Sequence, residues 1–553
     1  MVRPVRAISV RELGWARDRP NGLLVRARSA WARASRLQFL LVTLGLSAVV
    51  TTELIRLAAR EYDKDYYFDE MWRADLVRTP QFVQRYLANN APAPPGWFFV
   101  LRLVGIAMPN GPKALRLESA VLDVLMFLLL ALLLDRMLTR SRRPPVTRLV
   151  APVSAVLVVL FPAYANLAQY LNDYMFQAAC TIGVVVLWRV HDEWAPGRIA
   201  LLTAIVLLPL VTLSGLLLLP VIAADMLRRD FVCARRGAPR WRLAGTIGAF
   251  VGSAGAALTL YEWLYRPVVD HQIRRYWADA TLSESPLGSI LQTSWSRLMQ
   301  ASISDAVSVF PSGYNAPVAG ALLVGLAVAG FILLGRLWVW FPIAFVSAWA
   351  MAAVASLASW PMTPERVNLP VLWMFHTAVV VAVVYAAARL VRHPTTMVGM
   401  GAVLLWAFWP APPPHGAEPF ARGLTSDLDV VAASPDSRNI VVSYHPMSHW
   451  YADDRLVTSY HGPDTFTVVR EPWHDPAPLY SHPDDVVRAA GWRPGTAVWC
   501  VIPYEVGPEQ GSRACRLELP GLSKRVQIRR ERAYIIGWLP SPTPLPASSG
   551  PGR

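Results

Sequence analysis

Apolar runs of roughly bilayer length, separated by clusters of arginine, recur from residue 37 to residue 411 and constrain this chain more than any motif in it. A helix needs about 20 mostly apolar residues to cross the hydrocarbon core. Runs at about 37–57, 116–135, 149–165, 174–190, 243–262, 317–334, 337–358, 371–389 and 396–411 meet or approach that length. With 54% hydrophobic and 16% charged residues over 553 positions, the chain is too apolar for an ordinary soluble enzyme. A polytopic all-α membrane protein is expected.

The charges set the topology. The formal net charge is +15, and arginine supplies nearly all the basic residues. They cluster between the apolar runs, as the positive-inside preference requires, so no nucleic-acid partner is expected. Residues 1–36 are rich in arginine and no small-residue cleavage site follows the first run, which predicts an uncleaved anchor with a cytoplasmic N-terminus rather than a transit peptide. The segment 199–227 is basic at both ends and is broken by Pro209 and Thr212-Leu213-Ser214-Gly215. It reads as a tight hairpin of two short spans, whereas a single tilted helix would invert everything downstream. About 11 transmembrane helices result, over 37–411, with large outer loops at 58–115 and 263–316. In the first loop, a run beginning at Pro94-Pro95 is too short to cross and reads as an amphipathic surface helix.

Beyond Pro412-Pro413-Pro414 the character changes. Candidate strands at Asn439–Ser443, Thr465–Val469, Thr496–Ile502 and Val526–Ile528, with a helical pattern at Asp484–Ala490, predict a small α/β domain over 412–539. An odd number of spans puts that domain outside the membrane, where Cys500 and Cys515 form either a disulfide or a buried apolar pair. Residues 540–553 read as a disordered tail.

The middles of the spans read as nearly free of charge, against an ion-coupled transporter. Polar residues concentrate instead on the outer side. Asp69 and Glu70 lie among Tyr66, Tyr67, Phe68 and Trp72, where an interfacial aromatic belt is the plain alternative to a reaction site. Asp173, Glu118, Arg274, Arg275 and Arg366 fall on the same side, as do Lys64, Arg73, Arg102 and Arg116. So many cations on the disfavoured side would suit a phosphate held at the lipid boundary, although each singly is better explained by pairing with a nearby acid such as Glu118 or Glu365.

In this order the chain resembles the GT-C class of membrane glycosyltransferases that use polyprenyl-phosphate sugars. The likeness is to the protein O-mannosyltransferase and lipid A aminoarabinose transferase group. Phe68-Asp69-Glu70 stands at the family's acidic pair, Ala93-Pro94-Pro95-Gly96-Trp97-Phe98 resembles its His-Pro-Pro-aromatic stretch, and Leu115-Arg116-Leu117-Glu118-Ser119-Ala120 resembles the start of its second span. Glu365-Arg366-Val367-Asn368-Leu369-Pro370 resembles its Glu-Arg-Tyr-Leu-Pro element, and the 199–227 hairpin its Leu-Thr-Lys-Gly segment. Ala93, Ser214 and Val367 depart from the family's His, Lys and Tyr.

The resemblance implies transfer of a sugar, with inversion, from a polyprenyl-phosphate donor to a glycan, lipid or protein acceptor at the outer face of a bacterial plasma membrane. Asp69 would be the base, Glu70 would orient it, and Asp173 would be a second acid near the acceptor or a cation. Arg366, with Arg274, Arg275 and Lys64, would hold the phosphate. Trp72, Trp97 and Tyr170 would stack on sugar or prenyl surface. No cofactor is certain, and a divalent cation is compatible because some members of the family use one. A lipid-linked sugar flippase and an inactive scaffold for envelope assembly are the alternatives.

Overall fold

This computed structural model describes most of residues 36–58, 82–88, 93–107, 111–138, 147–161, 171–266, 316–357 and 365–390, scattered single positions such as Glu70, Arg73 and Tyr164, and five strands between 439 and 538. Its helices are α1 (Arg36–Ala58), α2 (Phe82–Ala88), α3 (Pro95–Ala107), α4 (Gly111–Leu138), α5 (Thr147–Val159) and α6 (Tyr174–Val190). They continue with α7 (Gly197–Val211), α8 (Leu219–Arg235), α9 (Trp241–Leu260), α10 (Ala316–Leu337), α11 (Trp340–Leu357) and α12 (Glu365–Leu390). Among the described residues, four helical stretches are long and apolar enough to cross a membrane: Ala114–Leu138, Trp241–Tyr265, Trp340–Leu357 and Pro370–Ala388. Shorter apolar helices pack among them, and the chain is a multi-pass membrane protein.

The bundle closes around α12. Its residues Val371, Leu372, Trp373, Met374 and Phe375 are all buried, so this helix is enclosed on every side, as a helix that is apolar all round requires. It packs against α10, α5, α6 and α11. Gly330 of α10 lies so close to the Ala378 carbonyl of α12 that no Cβ would fit.

The 199–227 segment is a hairpin, as its double basic flank predicts. α7 stops at Thr212, whose N–H donates to the Leu208 carbonyl at 2.9 Å and whose Oγ1 accepts the Gly215 N–H at 3.0 Å. A tight turn over Ser214–Leu218 follows, and Pro220 starts α8 in a position where no N–H is needed. Arg198 at the start of α7 pairs with Asp230 near the end of α8 at 2.6 Å, so both open ends lie together.

One expectation needs adjusting: Glu53 and Arg56 stand near the end of α1, as expected of span charges, but Asp123 lies well inside α4. Arg56 of α1 bonds Glu53 and reaches Asp123 of α4 at 3.4 Å, all three buried, and Asp225 of α8 is buried and accepts from Trp188 Nε1 at 3.0 Å. These groups pair within small clusters, with Asp123 Oδ1 left without a hydrogen-bond partner among the described residues. The helix expected to lie along the surface in the first loop is α3. Trp97, Phe98, Leu101 and Gly105 face inward, but Phe99, Leu103 and Ile106 are exposed, so the helix offers an apolar face to lipid.

The five strands are β1 (Asn439–Ser443), β2 (Phe466–Arg470), β3 (Ala497–Val501), β4 (Val526–Ile528) and β5 (Ile535–Trp538), in the order β2-β1-β3-β5-β4. β1 runs parallel to β2 and β3, while β5 is antiparallel to both β3 and β4. The first four coincide with the sequence expectation to within a residue. β5 escaped it, because four residues interrupted by Gly537 carry little strand signal. The expected helix at 484–490, the span at 396–411, Cys515 and the tail lie outside the described residues, and Cys500 stands in β3 with its side chain outside the described part.

Candidate active site

The site is assembled where three pieces of chain meet: the segment around Glu70 and Arg73, the first turns of α4, and the link Leu171-Asn172-Asp173 that leads into α6. The Glu70 carboxylate receives Arg116 through two bonds, Nε to Oε1 at 3.0 Å and Nη2 to Oε2 at 2.7 Å. It also accepts the Leu171 backbone N–H. Both side chains are almost wholly buried, so this fork fixes the first loop to α4 and to the entry of α6.

Arg73, one turn beyond Glu70, donates to the Leu171 carbonyl at 3.3 Å and lies 3.7 Å from Asp173. Its guanidinium stands 5.8 Å from the centre of the Trp97 ring. Asp173 in turn accepts from Gln177 Nε2 at 2.6 Å, one helical turn along α6. Gln177 Oε1 then receives the Thr212 hydroxyl at 3.2 Å and the Leu213 N–H at 2.9 Å, tying the site to the turn between α7 and α8.

Burial, with Asp173 adding to it, raises the Tyr86 phenol above its usual range, so it stays a neutral donor, here to the Ala93 carbonyl at 3.0 Å. That bond and the N–H groups of Trp97 and Phe98, both directed at the Pro94 carbonyl, anchor the start of α3. Pro95 opens the helix where a missing N–H costs nothing.

Of the expected site residues, the structure brings Glu70 and Asp173 together through Leu171 and Arg73. Trp97 differs from its expected role. It is fully enclosed, with Nε1 donating to Glu118 at 3.1 Å, and so offers no face on which a sugar or prenyl chain could stack. Arg366 stands in the first turn of α12, its side chain outside the described part. Asp69, Lys64, Trp72, Tyr170, Arg274 and Arg275 lie outside the described residues altogether. Gln177 went unnoticed in the sequence, although Asp173-x-x-x-Gln177 at the start of a helix puts the two on one face.

The described residues contain no group of three or more metal-ligating side chains. The two described carboxylates of the site are also turned to donors, Glu70 to Arg116 and Leu171, Asp173 to Gln177. Those two side chains alone supply fewer oxygens directed at one point than a divalent cation takes.

No protein-family model matches the chain, and no curated protein does either. The fold nevertheless has a solved counterpart. It is similar to ArnT from Cupriavidus metallidurans in the apo state, with a TM-score of 0.51 and 12% identity over 90% of this chain and 98% of that chain. The same protein bound to undecaprenyl phosphate gives a TM-score of 0.38 at 11% identity, over 90% of this chain and 97% of that one. The apo oligosaccharyltransferase of Archaeoglobus fulgidus gives 0.44 at 12% identity, over 89% of this chain and 72% of that one.

Proposed function

We propose that this protein is an integral membrane glycosyltransferase that moves a sugar from a polyprenyl-phosphate donor to a glycan, lipid or protein of the bacterial cell envelope. The observation that carries this reading is the acidic centre Glu70–Asp173, built from the first loop and the entry of α6, within a fold shared with ArnT along nearly its whole length. One ArnT structure holds undecaprenyl phosphate, the kind of carrier this reading requires.

In the proposed reaction the acceptor hydroxyl attacks the anomeric carbon as the bond from that carbon to the phosphate oxygen breaks. The bonding pair leaves with the polyprenyl phosphate, the anomeric configuration inverts, and Asp69 takes the hydroxyl proton. Glu70, clamped by Arg116, fixes the backbone on which Asp69 stands. Asp173, set by Gln177, is the second acid, directed to the acceptor. Phosphate is a good leaving group, so the principal need is positive charge upon it, assigned to Arg366 with Arg274, Arg275 and Lys64. Trp72 and Tyr170 would face sugar or prenyl surface. No step is routed through a metal.

The topology that goes with this function has about eleven spans, a cytoplasmic N-terminus, and the 412–539 region as an α/β domain on the outer side with the site. The test is transfer of radiolabelled sugar from polyprenyl-phosphate donors in membranes, with the parent protein beside Asp69→Asn. Transfer by the parent that vanishes in an inserted, folded variant is the expected result. Undiminished transfer by the variant removes Asp69 from the chemistry. No transfer from any donor by the parent turns the reading toward a flippase or scaffold.

A further inference from the structure

The end of the bundle away from Glu70 and Asp173 holds a second charged constellation that glycosyl transfer does not use. α6 begins beside Asp173 and runs 17 residues to Val190. At 1.5 Å per residue its two ends stand about 25 Å apart. At the far end, Asp192, Arg198, Arg228, Arg229, Asp230 and Arg242 line a cleft of about 260 Å³. The surrounding stretch 228–242 contains six arginines and one aspartate, and its Arg235, Arg236 and Arg240 are exposed.

The walls of this cleft are built. Arg198 is held by Asp230 and by the Thr246 hydroxyl, both at 2.6 Å, and by the Arg242 carbonyl at 3.0 Å. Arg229 is held by Asp225 at 2.7 Å and Asp192 at 2.8 Å. The carboxylates therefore orient these two guanidinium groups, and the further arginines leave the region strongly positive. Arg228 sits at the rim, its side chain 63% exposed.

What lies beside the cleft decides the ligand. α9, which carries Arg242 in its first turn, is apolar enough to cross a membrane, yet only 17% of that stretch is buried inside the protein. Its Trp241, Ile247 and Val251 are exposed, as are Phe231 and Val232 of α8. Lipid must cover that face. A guanidinium-lined cleft at the head of a lipid-facing helix matches a phosphate group attached to acyl chains, with an indole at the depth where tryptophan partitions.

We infer that the cleft between α7, α8 and the start of α9 binds the phosphate of an anionic phospholipid in the leaflet opposite the Glu70–Asp173 site. Arg228 and Arg242 contact the headgroup, while Arg198 and Arg229 supply the fixed field behind it. The acyl chains run along Trp241, Ile247 and Val251. This goes beyond the glycosyltransferase reading and does not rest on it.

The test uses the full chain in phosphatidylcholine vesicles, with and without brominated phosphatidylglycerol, and reads the fluorescence lost through Trp241 as the difference between the parent and Trp241→Phe. Brominated phosphatidylglycerol should quench that signal severalfold more than brominated phosphatidylcholine at equal mole fraction. The Arg228→Gln/Arg242→Gln variant should lose the preference. Soluble glycerol 1-phosphate should fail to displace the lipid. Equal quenching by the two lipids overturns the proposal, and so does a preference that survives in the double variant. Displacement by glycerol 1-phosphate alone makes this a site for free phosphate esters and overturns the lipid assignment. A thermal unfolding curve on each variant establishes that it is folded, and the parent's own midpoint should rise with phosphatidylglycerol independently of any substitution.

Discussion

Arg116 and Glu70, 46 residues apart in the chain, meet through a two-bond fork of 2.7 and 3.0 Å inside the protein. A buried ion pair is costly to desolvate and costlier to break, since the surviving charge then has no counterpart. Glu70→Leu and Arg116→Met should each lower stability by about 3–5 kcal/mol, and the double variant Glu70→Leu/Arg116→Met by clearly less than the two losses together. Thermal unfolding of the four proteins in one detergent measures this. Strictly additive losses would mean that the fork does not couple the first loop to α4.

Gln177 links Asp173 to the α7–α8 turn. In Gln177→Leu the Thr212 hydroxyl and the Leu213 N–H lose their acceptor, and each buried polar group left unsatisfied costs about 1–3 kcal/mol. Glycosyl transfer should fall by more than the fraction unfolded, because Asp173 also loses its orienting donor. A kcat that tracks only the folded fraction would make Gln177 a purely structural link.

Trp97 separates packing from substrate contact. Trp97→Phe keeps a ring in the enclosed position but removes the Nε1–H that Glu118 accepts at 3.1 Å. Stability should drop by roughly 1–3 kcal/mol, with KM for the polyprenyl-phosphate donor unchanged. A rise of tenfold or more in that KM would restore the stacking role expected from the sequence.

The α10–α12 contact can be tested by contrast. Gly330→Ala drives a methyl group into the Ala378 carbonyl and should cost about 1–3 kcal/mol or more. Gly245→Ala in α9 meets nothing within 4 Å and should be neutral, or stabilise its helix by about 0.5–1 kcal/mol. Expression and unfolding temperature of the two variants, compared side by side, report the difference. Equal tolerance at both positions would exclude so close an approach of the two helices.

Much of the helical layout is legible in the sequence because bilayer thickness, hydropathy and the placement of arginine all act locally. The hairpin is the clearest instance. Thr212, Gly215 and Pro220 break and restart the helix through bonds within a few residues, and Arg198 and Asp230 then close its open end. The resemblance to GT-C enzymes likewise rests on short stretches in a fixed order, among them the one that holds Glu70.

What only the tertiary structure decided is which charge meets which. Nothing in the local sequence pairs Glu70 with Arg116 rather than leaving Arg116 to Glu118, or turns Trp97 inward onto Glu118. Nor does it gather Glu53, Arg56 and Asp123 into one buried cluster across two helices. The physical reason is that each helix is fixed by short-range geometry and by its lipid or protein surroundings. The energy of a buried charge depends instead on partners brought within a few ångströms by packing, and their separation along the chain carries no sign of that encounter.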